Sequence, residues 1–145
     1  MSRATRSFKL KLSQAGIDIL IDSHCHLIRT TRALIAWGTT LHVAVDYLGT
    51  LPTARILAHL GYLDVPQYSG QQEHHVGAPH RLWSVAMGIV ERVRLEAPEQ
   101  SAPTLGTIYI LALHELSKAP SPAILEAFSR TQCPDHPSIV GATLG

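Results

Sequence analysis

Between Thr104 and Ser117 the chain is apolar nearly all the way round a helix, with Leu105, Ile108, Tyr109, Ile110, Leu111, Leu113 and Leu116 leaving no broad polar stripe to face water. Such a helix is stable only when something covers every side of it. The segment therefore predicts either a central buried helix or a contact helix between subunits.

The rest of the chain is well supplied with covering surface. Of its 145 residues, 46% are hydrophobic and 16% charged, whereas an average soluble domain is about 25% charged. That balance excludes intrinsic disorder, which pairs low hydrophobicity with high net charge. The length suits a single domain over 1–145 and falls short of the roughly 200 residues that a closed (β/α) barrel needs. With so few charges to clothe the surface, part of the apolar excess is expected to meet a second copy of the chain, so a homo-oligomer is predicted.

The formal net charge of +1 speaks against a nucleic-acid partner. Two Phe, two Trp and four Tyr leave few platforms for stacked bases. Arg3, Arg6, Lys9 and Lys11 all precede the first acid, Asp18, and residues 1–6 read as a flexible basic arm. No stretch reaches the 18 or so apolar residues of a membrane span, because Gly38, Thr39, Thr40 and His42 interrupt the run from Ala33 to Val45. Cys25 and Cys133 fit no disulfide framework, and the opening residues lack the apolar core of a signal peptide. The expectation is a soluble, cytoplasmic protein without a membrane partner.

Local patterning predicts an α+β fold. Phe8, Leu10 and Leu12 alternate with Lys9 and Lys11, the period of a half-buried strand. Gln14-Ala15-Gly16 reads as a turn and Ile17 to Asp22 as a second strand, giving an N-terminal antiparallel hairpin. Ser23 would cap a helix ending at Gly38, and Leu41, Val43 and Val45 suggest a third strand.

A mainly helical C-terminal half follows. One helix opens at Leu51-Pro52, carries Ile56, Leu57 and Leu60, and is capped by Gly61. Residues 64–79, rich in Pro, Gly and Gln, read as a long surface loop. Leu82, Val85, Ala86, Ile89 and Val93 recur at helical spacing from Arg81 to Glu96, with Arg92 and Glu96 as a solvated pair on the opposite face. Ser121-Pro122 starts a last helix, and 133–145 read as an irregular tail.

Histidine is the conspicuous chemical resource, with nine in the chain. His24 and His26 flank Cys25 in Leu20-Ile21-Asp22-Ser23-His24-Cys25-His26-Leu27. On an extended backbone, imidazoles two apart point to one side, where both can ligate a Zn²⁺ that activates water. The segment resembles the first-strand metal motif of the TatD-like and wider amidohydrolase hydrolases. The resemblance implies a metal role for His24 and His26. It spans eight residues, and Ile28 stands where that family has Asp or Asn.

His114-Glu115-Leu116-Ser117-Lys118 is one residue short of the zincin motif, Lys118 replacing the second histidine. Glu73, His74, His75 and His80 cluster in the 64–79 loop and just after it, offering metal ligation, acid–base chemistry or pH sensing. Cys133 and His136 have acceptable zinc spacing but supply only two ligands.

Two functional readings follow from these residues. One is a small oligomeric binding or interaction protein whose ligand, a small molecule or protein, meets Glu73, His74, His75 and His80. The other is a zinc-dependent hydrolase with His24 and His26 as metal ligands and Asp22 or Glu115 as general base.

Overall fold

The computed structural model describes residues 5–132. They form a strand β1 (Thr5–Leu12), helices α1 (Gln14–Thr31), α2 (Trp37–Gly49), α3 (Thr53–Tyr62) and α4 (Val65–Tyr68), a strand β2 (Gln72–Pro79), and helices α5 (Arg81–Glu96), α6 (Leu105–Ser117) and α7 (Ser121–Gln132). The fold is mixed helix and sheet, as the patterning indicated, but only two strands occur among the described residues.

β1 behaves as its alternation dictates. Phe8, Leu10 and Leu12 are buried, and Lys9 and Lys11 face outward. Its partner differs from expectation: β1 pairs antiparallel with β2, from Thr5 opposite Pro79 to Leu12 opposite Gln72. The segment expected to be a loop over 64–79 therefore supplies the one-turn helix α4 and the second strand. Arg6 lies within β1, its guanidinium carbon 5.3 Å from the centroid of the Phe8 ring, so residues 5 and 6 of the expected arm belong to a strand, and residues 1–4 fall outside the described part. Residues 133–145, with Cys133 and His136, lie outside it too.

Two expected strands are helices instead. Ser13 accepts a hydrogen bond from the Gly16 amide at 3.1 Å and caps α1, and the run from Ile17 to Asp22 continues straight into it. The buried stripe is Gly16, Ile19, Ser23 and Leu27, spaced three or four apart, so a helical period lay beneath the apparent alternation. The helix ends at Arg32, whose φ of 58° makes it a left-handed cap donating its amide to Ile28. The third expected strand is α2, in which Thr40 to Val45, Tyr47 and Leu48 are all buried, so its alternation was incidental to burial on nearly every side.

The later helices match their sequence signals closely. α5 spans the residues predicted, and Thr104 caps α6 by accepting from the Thr107 amide at 3.1 Å. α3 also forms, with Gly61 inside it and Leu63 as its cap.

α6 is the central element. It packs against α1, α2, α4 and α5, and Ile108 to Leu113 are all buried. The choice left open by its sequence resolves to an interior helix. The inner face of β1 joins this core through Phe8, whose ring meets Tyr109 edge-on at 6.3 Å. One contiguous hydrophobic cluster draws on both strands and on all the helices except the one-turn α4, which packs against it. No helix of the described residues is long and apolar enough to cross a membrane.

Candidate functional site

A groove of about 740 Å³ runs between α1 and β2. One wall is the outward shoulder of α1, with Ile17, Leu20 and Ile21; the other is β2 from Glu73 to Gly77, and Trp37 and Gly38 at the start of α2 close one end. Ile21 and Trp37 are 41% and 44% exposed, unusual for large apolar side chains that line a concavity. The groove's size lies within the roughly 300–1,000 Å³ typical of small-molecule sites.

Three local devices shape it. Gly38 lies so close to β2 that a Cβ there would fall 1.7 Å from the Gly77 carbonyl oxygen, so only glycine lets the two backbones meet at the groove's end. The Trp37 indole stacks on the His24 ring at 3.9 Å and an angle of 18°. His24 Nδ1 is in turn hydrogen bonded to the buried Thr40 hydroxyl at 2.7 Å. Burial holds the His24 imidazole below its ordinary proton affinity, which favours the neutral ring in this brace.

The polar part of the groove comes from β2. His74 belongs to the inner face of the sheet, opposite Leu10. Its Nε2 is buried and has no hydrogen-bond partner among the described residues. Glu73 and His75 form the outer rim. The Glu73 carboxylate lies 3.8 Å from Lys9, 3.9 Å from Lys11 and 3.8 Å from His75, all of them exposed contacts of little energetic weight.

The sequence candidates thus separate in space. Glu73, His74 and His75 line one groove, while His80 is exposed at the start of α5, its ring 5.8 Å from that of Trp83. His24 and His26 sit two apart on a helix, about 200° around its axis, so the extended geometry assumed for a shared zinc is absent. His24 turns to Thr40 and Trp37, whereas His26 Nε2 is hydrogen bonded to the Ala119 carbonyl at 2.8 Å. Asp22 is exposed on α1. Among the described residues, no group of three or more His, Cys, Asp or Glu side chains is placed to hold a metal ion.

Glu115 is 4% exposed and has both oxygens engaged, by Arg55 at 2.8 Å and His59 Nδ1 at 2.6 Å. Burial alone would raise its carboxyl, but the hydrogen bonds from His59 and Arg55 outweigh that and hold it below the usual value. It is an anchored carboxylate, poorly suited to accept a proton as a general base.

Sequence reasoning missed Trp37, Ile21 and Thr40 as site-forming residues. The available signal was the helical stripe of α1, which places Ile17, Leu20 and Ile21 together along one edge of the buried stripe that ends at Leu27. Comparison with protein-family models, with curated proteins and with solved structures returned no match.

Proposed function

We propose that this chain is a binding module whose site is the groove between α1 and β2, and that its ligand is a small, mainly apolar molecule bearing one polar group for His74. The observation that carries this reading is an apolar concavity of suitable size with the imidazole of His74 among its lining side chains. The unpartnered His74 Nε2 is costly, and a rotation of the ring that brings it to a polar group of the ligand would remove that cost. Catalysis by a His24–His26 zinc centre is the less favoured alternative, since the two rings are engaged in opposite directions.

A second reading uses the same face. Exposed Ile21 and Trp37 also suit association of two copies, the homo-oligomer that the composition suggests. One experiment distinguishes the readings: titration with the apolar anionic dye 8-anilinonaphthalene-1-sulfonate, followed by fluorescence, alongside light scattering. Saturable binding of one dye, weakened about tenfold or more by Ile21→Glu and unchanged by Leu95→Glu on α5, is the expected result. Binding that ignores Ile21→Glu overturns the small-molecule reading. A dimer that Ile21→Glu dissociates, with no dye bound, replaces it by self-association.

A further inference from the structure

Where α6 meets α3 and α4, a second polar cluster lies apart from the groove. His59, 2% exposed on α3, donates or shares its Nδ1 proton with Glu115 and stacks on the exposed Tyr62 ring at 4.8 Å. Its ring meets that of His114 edge to face, with centroids 5.0 Å apart and planes at 82°. His114 Nε2 is hydrogen bonded to the Tyr68 hydroxyl of α4 at 3.1 Å. Neither His59 Nε2 nor His114 Nδ1 has a hydrogen-bond partner among the described residues, and both are buried.

The charges around this pair are unbalanced. Glu115 is the anion in contact with it, and Arg55, against which Tyr47 of α2 also lies, already shares that carboxylate. Lys118, just beyond α6, adds another positive charge that His114 senses. A protonated His114 would carry N–H on both nitrogens with no acceptor for the buried Nδ1, and its charge would sit beside Lys118 where water is scarce. Turning the half-buried His114 toward solvent would relieve both costs and leave the Tyr68 hydroxyl without its partner.

We propose that His114, packed on His59, is a pH-sensitive latch, which clasps α4 to α6 through Tyr68 when its ring is neutral and releases α4 when the ring is protonated. In agreement, His114 is held below its ordinary proton affinity, first by burial, then by Lys118 and His59, with Glu115 opposing them. Release has a defined path outward. The Tyr68 carbonyl accepts from the Ser13 amide at 3.0 Å, and the Ser13 hydroxyl donates to the Gln67 carbonyl at 2.6 Å, so α4 braces the first turn of α1. That turn leads into Ile17 and Leu20 of the groove. The coupling to ligand rests on the function proposed above, whereas the latch does not.

Hydrogen exchange of the full chain, followed by mass spectrometry and corrected for intrinsic rates, tests the latch directly. Between about pH 7.5 and about pH 5, amides of residues 62–70 are expected to lose protection about tenfold or more beyond any loss in α2, whose core amides report global stability. His114→Gln, which keeps a partner for Tyr68 but takes no proton, is expected to abolish that pH dependence. Tyr68→Phe tests the same bond without touching a histidine and is expected to give the acid-type exchange already at the higher pH. Unchanged pH dependence in His114→Gln, native protection in Tyr68→Phe, or an acid loss spread evenly over all helices would each overturn the proposal. Dye binding is not part of this readout, so failure of the groove reading leaves it intact.

Discussion

Arg92 illustrates how much one side chain on α5 can organise. Its guanidinium donates to the carbonyls of Gly49 at 2.9 Å and Leu51 at 2.8 Å, and to the Thr53 hydroxyl at 2.9 Å. It thereby satisfies carbonyl groups at and beyond the end of α2 and ties them to the start of α3. The sequence had suggested a solvated pair with Glu96, because a spacing of four is visible locally while carbonyls 41 and 43 residues away are not. Lysine keeps the charge but cannot span three acceptors. Arg92→Lys is therefore expected to lower stability by about 1–3 kcal/mol in urea denaturation, and Glu96→Gln to change it by less than about 0.5 kcal/mol. The same locality explains His24 and His26: their types and positions were conspicuous in the sequence, but which way each ring turned depended on Thr40, Trp37 and Ala119.

At the level of elements, β2 was the hardest to read. Its inward positions His74, Val76 and Ala78 include a single large aliphatic residue, and the strand forms because β1, distant in sequence, offers it a buried face. α1 was misread for the opposite reason: isoleucines alternating with Asp18 and Asp22 imitate a strand, and only the Ser13 cap and the Gly16, Ile19, Ser23, Leu27 stripe betray the helix. The junction of β2 with α2 depends on Gly38. A methyl group there would collide with a carbonyl oxygen rather than with a pliable side chain. Gly38→Ala is expected to cost about 3 kcal/mol by thermal or urea unfolding. Gly77→Ala, whose methyl would meet open space, should cost less than about 0.5 kcal/mol in the same measurement.

Across the whole molecule, the histidines give folding a pH dependence of definite sign. His24, His42 and His114 are each held below their ordinary value of 6.5, in every case chiefly by burial. The unfolded chain therefore takes up protons that the folded chain refuses. Stability is expected to be level above about pH 6.5 and to fall progressively below it, as the pH drops toward the lowered folded-state values. Urea midpoints measured from neutral pH down to about pH 5 check this, and a midpoint that stays constant or rises would contradict it.

What the sequence determined by itself was whatever depends on neighbours along the chain: a helix at α6 that must be covered on every side, the amphipathic register of α5 and the buried face of Phe8, Leu10 and Leu12. These follow from periodicity, which needs no distant partner. Tertiary structure decided the partner of β1, the conversion of two apparent strands into helices, the joining of Glu73, His74 and His75 with Ile21 and Trp37 in one groove, and the burial of Glu115 against Arg55 and His59. Each of those outcomes depends on contacts between residues far apart in the chain, and the energies of such contacts are large enough to override local propensity.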